Sequence, residues 1–258
     1  MENKFNRPSA GGTRGRPGIG RAVAARFAAS GANVAIVGRR TEVLDEAREA
    51  IAAQAGAKVI AISGDVSRAD DCERIFHETN DTFGKVDILV NNAGSSKRGR
   101  FLEVSDKTWE DDLELKLFAA IRLCRLAIPA MQAQRWGRII NVLNIGAKAP
   151  LGGAAPTAVS RAAGMALTKV LAGEFAADNV LVNSLLVGRI RSNQWEIRAE
   201  NEGKDIEEFY AEMGETMPLR RIGTAEEFAN MACFLASDEG SYINGTAINV
   251  DGGASPVV

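Results

Sequence analysis

Val86-Asp87-Ile88-Leu89-Val90-Asn91 (residues 86–91) is a short, mostly apolar run, and Asn92-Ala93-Gly94 follow it. A run that is apolar at successive positions, rather than at alternate ones, suits a strand buried on both faces of a parallel sheet. Working outward, the same kind of run recurs at residues 33–38 (NVAIVG), 58–63 (KVIAIS), 138–143 (RIINVL), 180–186 (VLVNSLL) and 246–250 (TAINV). The segments between them carry apolar residues at helical spacing, as in Ala22-Val23-Arg26-Phe27 and Ile75-Thr79-Phe83. Strand–helix alternation of this kind builds right-handed βαβ units. The expected fold is α/β, a doubly wound, Rossmann-like parallel sheet with helices on both faces, formed by one domain over residues 1–258. In such sheets a ligand sits beyond the carboxyl ends of the strands, so the residues that follow the strands are the candidate site.

The composition is that of a globular chain, 46% hydrophobic, 25% charged and 6% aromatic, with a formal net charge of −2. That balance gives no reason to expect a nucleic-acid or anionic-membrane partner. Cys72, Cys124 and Cys233 are far apart and there is a single histidine, His77, so no metal-ligand spacing exists. Reduced, buried thiols in a cytoplasmic protein are the expectation. No apolar run reaches the ~20 residues of a membrane span, and the N-terminus lacks the pattern of a secretory signal.

The chain begins MENKFNRPSAGGTRGRPGIG, and Gly11, Gly12, Gly15, Gly18 and Gly20 lead into a strong helical pattern from Arg21. Glycines there allow a tight turn and a close approach of backbone to a pyrophosphate, which the helix N-terminus stabilises. A plain glycine-rich loop reads the same way. The preceding residues 4–10 (KFNRPSA) do not look like a central strand, because Asn and Arg are rare there and Pro8 has no N–H to donate. They either pair poorly or form a rearranged start. Residues 189–218 break the rhythm, being charged, helix-prone and strandless, and read either as a lid over a substrate or as a solvated helical hairpin. Trp195, Phe209 and Met213 would let such a lid accommodate an apolar moiety.

Several motifs in order resemble the short-chain dehydrogenase/reductase family from about residue 11 to Gly253. They are Gly64-Asp65-Val66, Asn91-Asn92-Ala93-Gly94, Trp109, residues 137–144 (GRIINVLN), residues 157–161 (TAVSR) with Ala162-Ala163, residues 221–227 (RIGTAEE) and residues 249–253 (NVDGG). The resemblance implies a nicotinamide cofactor. It would lie on Gly11, Arg14, Gly18, Ile19 and Gly20, with Asp65 and Val66 at the adenine, Asn92, Ala93 and Gly94 shaping the pocket, and Arg161 at the ribose. An NAD site carries an acid after the second strand, where this chain has Arg39 and Arg40. Arg39, with Arg14, suits a 2′-phosphate, so NADP(H) is expected over NAD(H). Two solvated arginines are the bland alternative. The helices expected at residues 106–134 and 157–177 correspond to a pair that in this family packs across a two-fold axis, which implies a homodimer or homotetramer.

The family's catalytic tetrad aligns with Lys116 for asparagine, Asn144 for serine, Thr157 for tyrosine and Arg161 for lysine. A phenol works because a neighbouring lysine tunes its pKa from ~10 toward neutrality. A threonine hydroxyl is far too weak an acid for this, and Arg161 stays protonated. Asn144 can still donate to a carbonyl oxygen. Ordinary tyrosine-dependent carbonyl reduction should therefore fail. Lys116 and Arg161 place two cations near the site with no matching carboxylate among the motif residues. An anionic small-molecule substrate or ligand is one reading, with Lys116 as acid or base. The other leaves Lys116 in solvent or an interface and Arg161 on a ribose or phosphate. Tyr210 is the one tyrosine in the lid segment and more often a packing residue than a catalyst. Three functions follow: an oxidoreductase with a nonstandard acid, a non-redox enzyme, or a non-catalytic nucleotide-binding or partner-subunit protein.

Overall fold

A computed structural model of the chain describes residues 9–12 (as backbone) and 18–258. The strands are β1 (Ser9–Gly12), β2 (Val34–Gly38), β3 (Val59–Ser63), β4 (Ile88–Asn91), β5 (Arg98–Gly99), β6 (Gly137–Asn144), β7 (Ala155–Pro156), β8 (Val180–Val187) and β9 (Ala247–Val250). The helices are α1 (Ile19–Ala29), α2 (Thr41–Ala52), α3 (Ala69–Phe83), α4 (Asp106–Leu113), α5 (Ala119–Ala133), α6 (Thr157–Phe175), α7 (Asn193–Asn201), α8 (Ile206–Glu215) and α9 (Ala225–Ala236). Seven strands form one sheet in the order β3-β2-β1-β4-β6-β8-β9, and every pairing in it is parallel. The short strands β5 and β7 pair antiparallel beside it. The expected Rossmann-like, single-domain fold is what the chain adopts.

Successive residues of each central strand enter different cores, which is why the runs are apolar at most positions, Asn141, Asn183 and Ser184 being exceptions. Val34, Ile36, Ile88, Val90 and Ile140 pack on α1, α2 and α9 through Val23, Phe27, Leu44, Ile51 and Phe228. Leu89 and Ile139 face the opposite way, against Cys124, Ile128 and Met131 of α5 and Ala172 of α6. Ala35 and Val37 meet Ile75 of α3.

Two expectations about the ends of elements need correction. Ser9 and Ala10, expected in a poorly pairing start, belong to β1. This strand pairs with β2 on one side and β4 on the other (Ala10 opposite Ala35 and Leu89). Small residues carry no strand signal of their own, and the flanking strands impose the ladder. Residues 1–8, including Pro8, lie outside the described residues. The long helix expected at residues 106–134 is interrupted by a π-helical turn, Glu114–Phe118, between α4 and α5. Single π turns inside helices are frequently found at functional sites.

The 189–218 segment folds as α7 and α8 around an apolar cluster of its own. Phe209, Tyr210 and Met217 are buried there, with Trp195 and Met213 packed against them. The aromatic and Met side chains expected to face a substrate therefore turn largely inward. Arg191 ties the unit together, donating to both carboxylate oxygens of Glu207 at 2.8 Å and stacking 4.7 Å over the Tyr210 ring.

Candidate functional site

The strand order reverses direction between β1 and β4, so the crevice at the carboxyl ends of these strands is where a doubly wound sheet takes a ligand. Four of its walls are described. At the start of α1, Gly18 is the cap residue with extended backbone (φ 167°), no side chain among the described residues caps the helix, and the first turn holds no acid. The N–H groups of Ile19 and Gly20 are of the kind that a helix start offers to an anion. Gly11, expected in the phosphate loop, is the third residue of β1, near the carboxyl end of that strand. Arg14 lies outside the described residues.

After β2, Arg39 is two-thirds exposed and lies 3.6 Å from Asp65, the acid that follows β3. Asp65 also accepts from the Ser67 amide at 3.1 Å and hydroxyl at 2.8 Å. The sequence reading assigned Asp65 to the adenine and Arg39 to the 2′-phosphate; the fold puts the two side chains in contact. An ion pair this exposed contributes little, so Arg39 stays available to a competing anion.

After β4, Asn92, Ala93 and Gly94 form the next wall. Val66, Asn92, Ala93 and Lys116 line one narrow, largely apolar cavity. Gly94 lies flush against the Arg161 guanidinium, and a Cβ there would collide with Nη2. Arg161 donates through Nη1 to the Val142 carbonyl at 3.0 Å. Val142 is two residues before Asn144, the last residue of β6. The Asn144 Oδ1 atom is buried and has no hydrogen-bond partner among the described residues.

Lys116 sits in the π turn, and its side chain is wholly removed from solvent. Its ammonium donates to Thr157 Oγ1 at 2.7 Å and forms a close ion pair with Asp112, one turn earlier. The other oxygen of Asp112 accepts from Ser160 Oγ at 2.6 Å. Thr157 Oγ1 also donates to the Lys97 carbonyl at 2.6 Å and accepts from the Lys97 amide at 3.0 Å. All the bonding capacity of that hydroxyl is used. Burial pulls the Lys116 amine down to about 8, with the nearby Arg161 charge pushing the same way and the Asp112 bond opposing both.

Lys116, Thr157 and Arg161 lie close together, and a carboxylate from outside the motif residues, that of Asp112, stands against Lys116. Lys116 points neither to solvent nor to an interface. Asp112 and Ser160 escaped the sequence reading because the tetrad alignment names neither. The signal was present in the D-x-x-x-K spacing, which puts acid and base on one helix face. Tyr210 is buried in the α7–α8 cluster, where burial raises its pKa. His77 is exposed on α3 against the edge of Phe76. No cluster of metal-ligating side chains occurs among the described residues, and no described helix is long and apolar enough to cross a membrane.

Residues 12–255 match the family model described as enoyl-(acyl carrier protein) reductase. The 3-oxoacyl-(acyl-carrier-protein) reductase of Aquifex aeolicus is 34% identical over 243 residues, covering 94% of each chain. L-sorbose reductase of Gluconobacter frateurii, solved with NADPH and L-sorbose, matches over 100% of both chains with a TM-score of 0.93 and 32% identity. A short chain oxidoreductase of Pseudomonas aeruginosa, solved with NADPH and described as having an atypical catalytic centre, matches over 97% of each chain with a TM-score of 0.90 and 31% identity.

Proposed function

This chain belongs to the short-chain dehydrogenase/reductase family, and from that premise we propose that it is an NADP(H)-dependent reductase in which Lys116 takes the proton-donor role the family gives to tyrosine. The observation that carries the reading is the buried Lys116 amine, 2.7 Å from Thr157 Oγ1 and with its pKa pulled down to about 8. An acid–base group works best with a pKa near the working pH. A threonine hydroxyl cannot meet that condition, whereas this amine does. The atypical centre described for the Pseudomonas relative is a precedent for a family member that departs from the usual constellation.

The residues present fit a nicotinamide dinucleotide. The uncapped start of α1 suits its pyrophosphate, and Arg39 suits a 2′-phosphate. Gly94 leaves Arg161 room to lie along the crevice wall, where a ribose would contact it. When bound, the cofactor supplies or accepts hydride. Asn144, whose buried Oδ1 has no hydrogen-bond partner among the described residues, would accept a hydrogen bond from a substrate hydroxyl. Two of the three Lys116 N–H groups are taken by Asp112 and Thr157, and the third would donate to the substrate oxygen. Because Asp112 pairs with Lys116, that amine adds no net charge of its own that would favour an anionic substrate over a neutral one. The α7–α8 unit over residues 189–218 would act as the site's lid.

Partly exposed Phe118, Val159 and Val170 on the π turn and α6 support association into a homodimer or homotetramer. All three cysteines are free and buried, in keeping with a reducing, cytoplasmic setting.

The full burial of Lys116 and the saturated hydroxyl of Thr157 favour a second reading, in which the pair is sealed and the protein binds nucleotide without turnover. Following NADPH oxidation over a panel of ketones, aldehydes and activated alkenes separates the two. The proposal expects turnover by the wild type and a loss of about 10²–10⁴-fold in Lys116→Met with NADPH affinity retained. Turnover unchanged in Lys116→Met would sink it, and binding without any turnover in the wild type would establish the second reading.

A further inference from the structure

Four side chains from two helical segments close on one another at this site. Asp112 and Lys116 stand four residues apart across the junction of α4 with the π turn, and Thr157 and Ser160 stand three apart on the first turn of α6. The contacts cross between the segments twice, from Lys116 Nζ to Thr157 Oγ1 at 2.7 Å and from Ser160 Oγ to Asp112 Oδ2 at 2.6 Å. The Asp112 side chain is 1% exposed and that of Lys116 is fully buried. A buried carboxylate without partners is costly, and so is a buried ammonium. Each is therefore the other's principal compensation.

We propose that Asp112 is the positioning residue of this site: clamped by Ser160, its carboxylate holds the Lys116 amine against Thr157 and keeps that amine protonated. The inference rests on the reading of Lys116 as the site's acid, and it adds what sets that acid's state. The groups that act on the amine are few. Asp112 attracts its charge, Arg161 of α6 and Lys97 of the segment before β5 repel it, and Thr157 accepts from it. Asp112 is the only anion among them, so its charge decides whether the amine keeps its proton at neutral pH. The π turn serves the same arrangement, since Lys116 lies at its centre and is aimed at both Asp112 and Thr157.

Asp112→Asn preserves shape and removes the charge; Ser160→Ala removes only the clamp. The test follows the lysine side-chain carbon resonances by NMR through a pH titration of the full-length protein, with Lys116→Met identifying the signal. The wild-type signal should titrate near 8. In Asp112→Asn its midpoint should fall by about one pH unit or more, a tenfold loss of proton affinity. Ser160→Ala should give a smaller fall in the same direction, and it keeps the test decisive should Asp112→Asn fail to fold. NADPH affinity serves as a control that the fold persists. A midpoint unmoved in both variants would overturn the inference, as would a purely structural loss of folded protein with normal titration of what remains. Failure of the underlying reading looks different: the midpoints would shift as described, while Lys116→Met turned over substrates as well as the wild type.

Discussion

Thr157→Val tests whether the Thr157 hydroxyl, proposed to stand where the family has its tyrosine, is a structural fastener. Valine keeps the β-branched shape and deletes one hydroxyl, which here donates to the Lys97 carbonyl and accepts from the Lys97 amide and the Lys116 ammonium. A neutral hydrogen bond contributes about 1 kcal/mol and one to a charged group about 2, so the summed loss is about 4 kcal/mol. Lys97 lies on a half-buried segment where its backbone regains some water contact, which lowers the expectation to about 3 kcal/mol. For a chain of this size that is a fall in melting temperature of roughly 6–12 °C. Thr157→Ser keeps the hydroxyl and should lie within about 1 kcal/mol of the wild type. Urea denaturation of the three proteins at neutral pH gives the comparison. A valine variant as stable as the wild type would refute the reasoning, and so would a serine variant as weak as the valine one.

Lys116 also gives the fold a pH dependence. Its amine titrates near 8 in the folded chain against an ordinary 10.5, so between those values the unfolded chain binds more protons and stability rises with pH. Relative to the double variant Lys116→Met/Asp112→Asn, the wild type should gain about 2 kcal/mol from pH 8 to pH 10 in parallel denaturation series; a flat difference would contradict the buried-amine account. Arg39→Ala should weaken NADPH about tenfold in a binding titration and leave NADH unchanged, whereas equal losses for both would remove Arg39 from the 2′-phosphate. At α9, Glu227 completes a capping box with Thr224 and pairs with Arg221 at 2.6 and 2.9 Å. Arg221, with the Thr224 amide, holds its carboxyl down at about 2, so its contribution is present above 4.5 and is lost as pH falls through about 2. Glu227→Ala should cost about 1 kcal/mol, a modest figure because the pair is exposed. A cost that persisted undiminished at pH 2 would count against the ionic part of that assignment.

The central sheet was largely legible in the sequence because strands buried on both faces have few polar positions to confuse the pattern, Asn141, Asn183 and Ser184 among them. The expected runs differ from the observed strands by two residues at most, as where β4 starts at Ile88 rather than Val86. The first strand was not legible. Ser9, Ala10, Gly11 and Gly12 have no intrinsic preference for a strand, and their conformation comes from β2 and β4. At the site, alignment with family motifs located Lys116, Asn144, Thr157 and Arg161, but motif positions carry no information on contacts between helices. The Ser160–Asp112 bond joins residues 48 apart in the chain. The Arg39–Asp65 contact likewise depends on β2 and β3 being neighbours in register, Gly38 opposite Ser63. The inward turn of Phe209 was hidden because an amphipathic helix has the same pattern whether its apolar face covers a substrate or its own partner helix.

Calorimetric titration of the purified protein with NADPH and with NADH, monitored in parallel by nicotinamide fluorescence, is the most direct test that this family fold still serves its cofactor. The account predicts saturable, stoichiometric binding of NADPH, tighter than that of NADH. Absence of binding at millimolar NADPH would contradict it, leaving the Rossmann-like fold intact and removing the dinucleotide on which the role of Lys116 depends.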